Sequence, residues 1–86
     1  MITLTEDQPT PIEVWLTKNN IEIVCRVTRE DETIRGLAVT SLSMRGAMRE
    51  MSGYFIDEGY KPAGRWVTEA EADGEVVEAS RKFRIA

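Results

Sequence analysis

Alternating apolar and polar positions between residues 12 and 28 predict a β-hairpin. Its strands are Ile12–Lys18 and Ile21–Thr28, and they flank Asn19-Asn20. Asparagine tolerates the positive φ angles that a two-residue type I′ turn requires. This turn predicts the cross-strand pairs Leu16–Ile23, Val14–Cys25 and Ile12–Val27 on one face, and Glu13–Arg26 and Trp15–Val24 on the other.

The next segments predict a third strand and one helix. Residues 33–40 resemble a strand with a bulge or an edge position, because Gly36 interrupts the alternation. A helix is predicted from Ser43 to Glu58, capped by Ser41 or Ser43 and followed by Gly59. Its apolar arc consists of Met44, Ala47, Met48, Met51, Tyr54 and Phe55. We expect that arc to pack in the core, although a methionine-rich binding groove is the alternative.

A second hairpin is predicted from residues 63–70 and 75–85 around Asp73-Gly74, a strong turn dipeptide. A two-residue turn there predicts the pairs Ala70–Val77, Thr68–Ala79 and Trp66–Arg81. The chain therefore predicts a two-layer α+β domain with an antiparallel or mostly antiparallel sheet of 4–5 strands and one helix, in the order β-β-(β)-α-β-β. Residues 12–86 form this single domain, and residues 1–11 an extended arm.

The composition argues against most catalytic chemistry. The chain has no histidine and a single cysteine, Cys25, so most metal sites and nucleophile–base arrangements lack their usual residues. Cys25 lies in an apolar strand pattern, where we expect it to be buried and unreactive. The acidic residues between Asp57 and Glu78 do not match a calcium loop or a glycosidase pair. We expect no enzyme activity, no cofactor and no metal.

Charge and hydropathy restrict the partners and the compartment. The formal net charge of −4 disfavours binding to nucleic acid phosphates. No apolar run is long enough for a membrane span, and the N-terminus does not resemble a signal peptide. Together with the unpaired cysteine, these features favour a cytoplasmic protein.

Two surfaces are candidates for binding a partner. A single helix covers one sheet face only, so Trp15 and Val24, with Leu37 or Val39, are predicted to lie on an uncovered face. The outer helix face carries Arg45, Gly46, Arg49 and Gly53, where the paired glycines indicate either a shallow groove or a tolerated weakness.

The C-terminal third resembles small uncharacterised proteins of actinobacteria and their phages. The resemblance rests on residues 58–66, EGYKPAGRW, and on residues 80–84, SRKFR, which follow an acidic turn. It implies no activity, but it is compatible with a phage or mobile-element accessory protein.

These features favour a non-enzymatic interaction or regulatory protein that binds a protein partner, or itself as a homodimer, through the apolar sheet face. The alternative is a nucleic-acid-binding module that uses the sheet or the Arg45/Arg49 helix face. Net charge disfavours this alternative.

Overall fold

The computed structural model describes residues 10–86 and contains one helix packed on one sheet. The predicted arm falls almost entirely on residues 1–9, outside the described residues. The elements are β1 (Ile12–Asn19), β2 (Glu22–Arg29), β3 (Glu32–Leu37), α1 (Met44–Asp57), β4 (Tyr60–Pro62), β5 (Val67–Ala70) and β6 (Val76–Ile85). The sheet has six strands in the order β3-β2-β1-β6-β4, with β5 also paired to β6. The α+β prediction is confirmed.

All strand pairs in the described residues are antiparallel, and the six strands agree roughly with the 4–5 predicted. The additional strand is β4, a three-residue segment directly after the helix. It pairs with the C-terminal half of β6, while β5 pairs with the N-terminal half. The predicted strand over residues 63–70 forms only over Val67–Ala70, because residues 63–66 interrupt the pairing along β6.

The first hairpin forms with a register two residues away from the predicted one. Leu16 pairs with Cys25, and Trp15 pairs with Arg26 rather than with Val24. The turn lies at Asn20-Ile21, where Asn20 takes a φ of 60°. Because side chains alternate with a period of two, a shift of two residues keeps every side chain on its predicted face. The apolar pattern was therefore equally compatible with both registers.

Strand β3 is an edge strand and carries a bulge, as the sequence predicted. Val27 of β2 pairs with Arg35 of β3, and Thr28 pairs with Thr33. Ile34 lies between the two pairs and is the extra residue of the bulge. The strand ends at Leu37 rather than at Thr40.

The helix matches its prediction closely. Ser43 is the N-cap, and its hydroxyl accepts a hydrogen bond from the Gly46 N–H at 3.1 Å. Gly59, which follows the C-cap Glu58, has a φ of 99°, a conformation that favours glycine.

The second hairpin turns through three residues, not two. The Gly74 N–H donates to the Glu71 carbonyl, the Glu71 N–H donates to the Glu75 carbonyl, and Gly74 has a φ of 88°. A register irregularity between Glu69 and Ala70 compensates for the longer turn. As a result Thr68 pairs with Ala79 as predicted, whereas Ala70 pairs with Val76 instead of Val77.

The core lies between α1 and one face of the sheet. Met44, Ala47, Met51 and Phe55 are buried on the helix, which confirms that most of its apolar arc is core. Ile12, Val14 and Leu16 of β1 pack against it, with Ile23, Cys25 and Val27 of β2 and Ala79 and Phe83 of β6. Leu37 and Val39 also pack against this core, so their predicted place on the uncovered face is wrong.

Candidate interaction surface

The sheet face away from α1 is not covered by the helix. We call it the open face. It is formed by Glu13, Trp15 and Thr17 of β1, Val24 and Arg26 of β2, Gly36 of β3, Lys61 of β4, Val67 and Glu69 of β5, and Glu78, Ser80, Lys82 and Arg84 of β6. These residues alternate with those buried beneath the helix.

Trp15 lies near the middle of the open face and is half-buried. Its cross-strand neighbours are Arg26 on β2 and Ser80 on β6, and Val67 lies beyond Ser80. The Arg26 guanidinium carbon is 5.5 Å from the centroid of the Trp15 ring, within the range of a cation–π contact. This row of side chains carries one charge only, so the centre of the face is largely apolar.

Val24, the second predicted residue of this face, is 50% exposed. It pairs with Thr17 rather than with Trp15. Val24 also borders a depression of about 300 Å³ at the end of the sheet, beside Ile21 and Leu42. Both of those side chains are more than four-fifths exposed, so apolar surface continues from Val24 around this end of the sheet.

Most charges on the open face are separated by sign; the exception is Glu13, which lies opposite Lys82 at the basic end. At the tip of the second hairpin, Glu69 lies directly opposite Glu78. At the other end of β6, Lys61 lies directly opposite Arg84. Like charges directly opposite on a sheet destabilise it. Neither pair has a salt-bridge partner among the described residues.

A second depression, of about 270 Å³, lies where residues 63–66 leave the sheet. Glu13, Arg65, Val67 and Lys82 are among the residues that line it. It adjoins the basic end of the open face. Lys82 pairs with Glu13 of β1 and therefore lies on the side of Trp15.

Both edges of the sheet are unsuited to strand addition. On one edge, β3 carries the Ile34 bulge and the charged residues Glu32 and Arg35. On the other, Pro62 and the gap at residues 63–66 break the edge between β4 and β5. Bulges, proline and charge are the usual means by which natural sheets prevent edge pairing. The open face is thus the more accessible surface for a partner.

The outer helix face lies on the opposite side of the molecule, so the two predicted surfaces do not meet. Arg45, Arg49 and Gly53 are exposed there. Gly46 is different, because an added Cβ would lie 3.0 Å from the Ser41 hydroxyl oxygen. Its lack of a side chain lets the preceding loop approach the helix. This close approach gives Gly46 a structural explanation independent of any groove.

Glu50 holds that loop in place, a role the sequence reasoning missed. Its carboxylate accepts hydrogen bonds from the Thr40 N–H at 3.1 Å, from the Ser41 N–H at 3.0 Å and from the Ser41 hydroxyl at 2.9 Å. These bonds, with the Thr40 N–H the largest contribution, lower the pKa of Glu50. The only feature of the sequence that distinguished Glu50 is that it is the single acidic residue among residues 33–56.

Trp66 and Arg81 face each other as predicted, and they lie on the helix side of the sheet. The Arg81 guanidinium carbon lies 6.0 Å from the Trp66 ring centroid. The indole N–H and the Arg81 side chain both donate to the Ser52 hydroxyl, at 3.1 and 3.2 Å, and Arg81 also donates to the Gly64 carbonyl at 2.7 Å. This network ties α1 to the loop before β5, so Trp66 has a structural role.

Cys25 is buried, as predicted, with 1% of its surface exposed. Burial raises the pKa of its thiol to about 11, so the reactive thiolate is scarce at neutral pH. No group of three or more His, Cys, Asp or Glu side chains within residues 10–86 is arranged to hold a metal ion. In the same part of the chain, no helix has the length and apolar character to cross a membrane.

Comparison of the chain with protein-family models, with curated proteins and with solved structures gives no match. The resemblance of the C-terminal third to actinobacterial and phage proteins stays a prediction.

Proposed function

We propose that this protein is a small non-enzymatic interaction module that binds a protein surface, a partner's or its own, through the open face. The observation that carries the proposal is the position of Trp15, half-buried at the centre of a sheet face that α1 does not cover. Tryptophan is enriched among the residues that contribute most to protein–protein affinity. A cytoplasmic location and an accessory role in a phage or mobile element are further parts of this proposal.

The surroundings of Trp15 support binding through the face. Ser80 and Gly36 are small, and Val24 and Val67 are exposed apolar residues, so a flat partner can approach the ring closely. Charged residues lie mainly towards the ends of the strands. An apolar centre with a polar rim is the usual anatomy of a protein interface.

Site-specific photo-cross-linking tests this function. A photo-reactive residue replaces Thr17, which lies next to Trp15 on the open face. The matched control carries the same residue in place of Gly53 on the outer helix face. A Cβ added at Gly53 would meet no atom within 4 Å. We expect position 17 to give one protein adduct of defined mass in lysate of the encoding organism. Trp15→Ala should abolish this adduct. An adduct that appears only from position 53 would contradict the proposal.

Nucleic acid binding is the second candidate, favoured by one specific observation. Lys61, Lys82 and Arg84 lie at one end of the open face, on the same side of the sheet as Trp15, with Glu13 opposite Lys82. Basic side chains beside an exposed aromatic ring are typical of single-strand binding surfaces. The acidic pair at the other end and the net charge of −4 oppose this function.

A titration of labelled single-stranded and duplex DNA at low salt separates the two candidates. Binding that weakens steeply with added salt and is lost in Lys82→Glu would favour the nucleic acid function. We expect no such binding.

A further inference from the structure

The open face has opposite charge at its two ends, and this arrangement points to the molecule that covers it. We propose that the partner is a second copy of this chain, packed face to face and turned end for end about a two-fold axis. The axis runs across the strands, close to Trp15. This inference rests on the proposed function and specifies its partner.

Two like-charged pairs on the open face are not neutralised by salt bridges within the described residues of one molecule. Glu69 opposite Glu78 and Lys61 opposite Arg84 are each unfavourable in an isolated sheet. Glu78 and Arg84 are six residues apart on β6, about 20 Å at the usual rise per strand residue. A copy turned end for end brings its basic pair over the acidic pair of the first molecule, and the reverse. Both unfavourable pairs are then neutralised in one step.

The position of Trp15 agrees with this symmetry. The midpoint between Glu78 and Arg84 is Arg81, and the row that contains Trp15 passes through the adjacent Ser80. Trp15 therefore lies within about one residue spacing of the axis, roughly 3 Å. The centres of the two copies then overlap, and Arg26, the one charge in the Trp15 row, lies near its own copy across the axis.

Charge also favours this arrangement over the other face-to-face one. An axis parallel to the strands would keep the acidic pairs of both copies at one end and the basic pairs at the other, so neither pair would meet its complement. Complementary charges across an interface favour association. Stacked sheets pack about 10 Å apart with their strands within about 30° of each other, which an end-for-end copy satisfies.

The size of the face is adequate for a dimer at the lower end of the stable range. Five strands at about 4.8 Å spacing and eight residues at about 3.3 Å give a footprint of roughly 600 Å² per copy. Two copies together bury about 1,200 Å², near the lower limit of specific interfaces. Such a dimer depends on its charge complementarity, which makes it sensitive to salt and to charge reversal.

Charge-reversal variants test the proposal. Glu69→Lys with Glu78→Lys makes both ends of the face basic, and Lys61→Glu with Arg84→Glu makes both ends acidic. Sedimentation velocity over a concentration series should show a dimer for the natural sequence. In each double variant we expect the dimer dissociation constant to rise about tenfold or more. An equimolar mixture of the two variants should form a mixed dimer with restored affinity.

The matched control is Arg45→Glu with Arg49→Glu on the outer helix face. It changes the net charge as much as Lys61→Glu with Arg84→Glu, but it should leave the dimer unchanged. Circular dichroism verifies that each variant is folded.

Three results would overturn the proposal: a natural chain that stays monomeric at every concentration, double variants that dimerise like the natural chain, or a mixture that does not associate. A monomer that cross-links from position 17 to a different protein would refute the dimer but keep the proposed function. A monomer without any Trp15-dependent adduct would refute both.

Discussion

The two faces of the sheet are built from alternate residues of the same strands, yet they differ sharply in their surroundings. On β1, Val14 and Leu16 are fully buried beneath the helix. Between them Trp15 is half-buried, and across the sheet Val24 and Val67 are half or more exposed. The covered face holds the domain together, whereas the open face contributes much less to stability. This difference means that substitutions on the two faces should have separable effects on folding and on binding.

The largest effect is expected at the centre of the covered face. Met51 is 3% exposed and lies in the core cluster, so Met51→Ala should lower the free energy of unfolding by about 2–5 kcal/mol. Urea denaturation followed by circular dichroism measures it. Ile56→Ala, on the exposed side of the same helix, is the control and should cost less than about 0.5 kcal/mol. Equal losses in both variants would mean that the helix does not bury the arc we describe.

A smaller loss is expected from Cys25→Ser, which places a hydroxyl among apolar side chains. The expected cost in unfolding free energy is about 1–3 kcal/mol. Because the thiol is buried and its pKa is raised to about 11, the native protein should react slowly with a thiol reagent and quickly in denaturant. Rapid labelling under native conditions would show that the covered face opens to solvent.

The variant Trp15→Ala tests the contribution of the open face. The substitution removes the contact with Arg26, so we expect a loss of about 1 kcal/mol of unfolding free energy and an unchanged circular dichroism spectrum. The same variant should lose dimerisation or partner binding. A loss of about 3–5 kcal/mol, the range for a core tryptophan, would place Trp15 in the core and remove the distinction between the faces.

The smallest effect is expected at Glu50, outside both faces. The Thr40 and Ser41 N–H groups lower its pKa, so its carboxylate stabilises the fold above the unfolded-state pKa. That stabilisation is lost as the pH falls through the lowered folded-state pKa. Glu50→Gln should therefore cost less than about 1 kcal/mol at pH 7, after allowance for solvent screening. The difference should vanish in acid, in denaturation curves recorded at several pH values.

Local signals in the sequence predicted the helix with its caps, the turn regions and the face on which most strand residues lie. They succeeded because capping, turn conformation and alternation depend on neighbouring residues only. Ser43 at the N-cap and Gly59 after the C-cap are examples in which a single side chain, or its absence, determines where the helix begins and ends.

Three features of the fold depend on residues that are far apart in the chain, and only the tertiary structure determined them. The register of the first hairpin is one case, since a shift of two residues leaves the buried faces unchanged. The strand β4 is another, because three residues with a proline carry no pattern until β6 pairs with them. The charge separation on the open face is the third feature of this kind. Glu69 and Glu78, like Lys61 and Arg84, become neighbours only when the strands pair, and the arrangement of strands around β6 sets them at opposite ends of one surface.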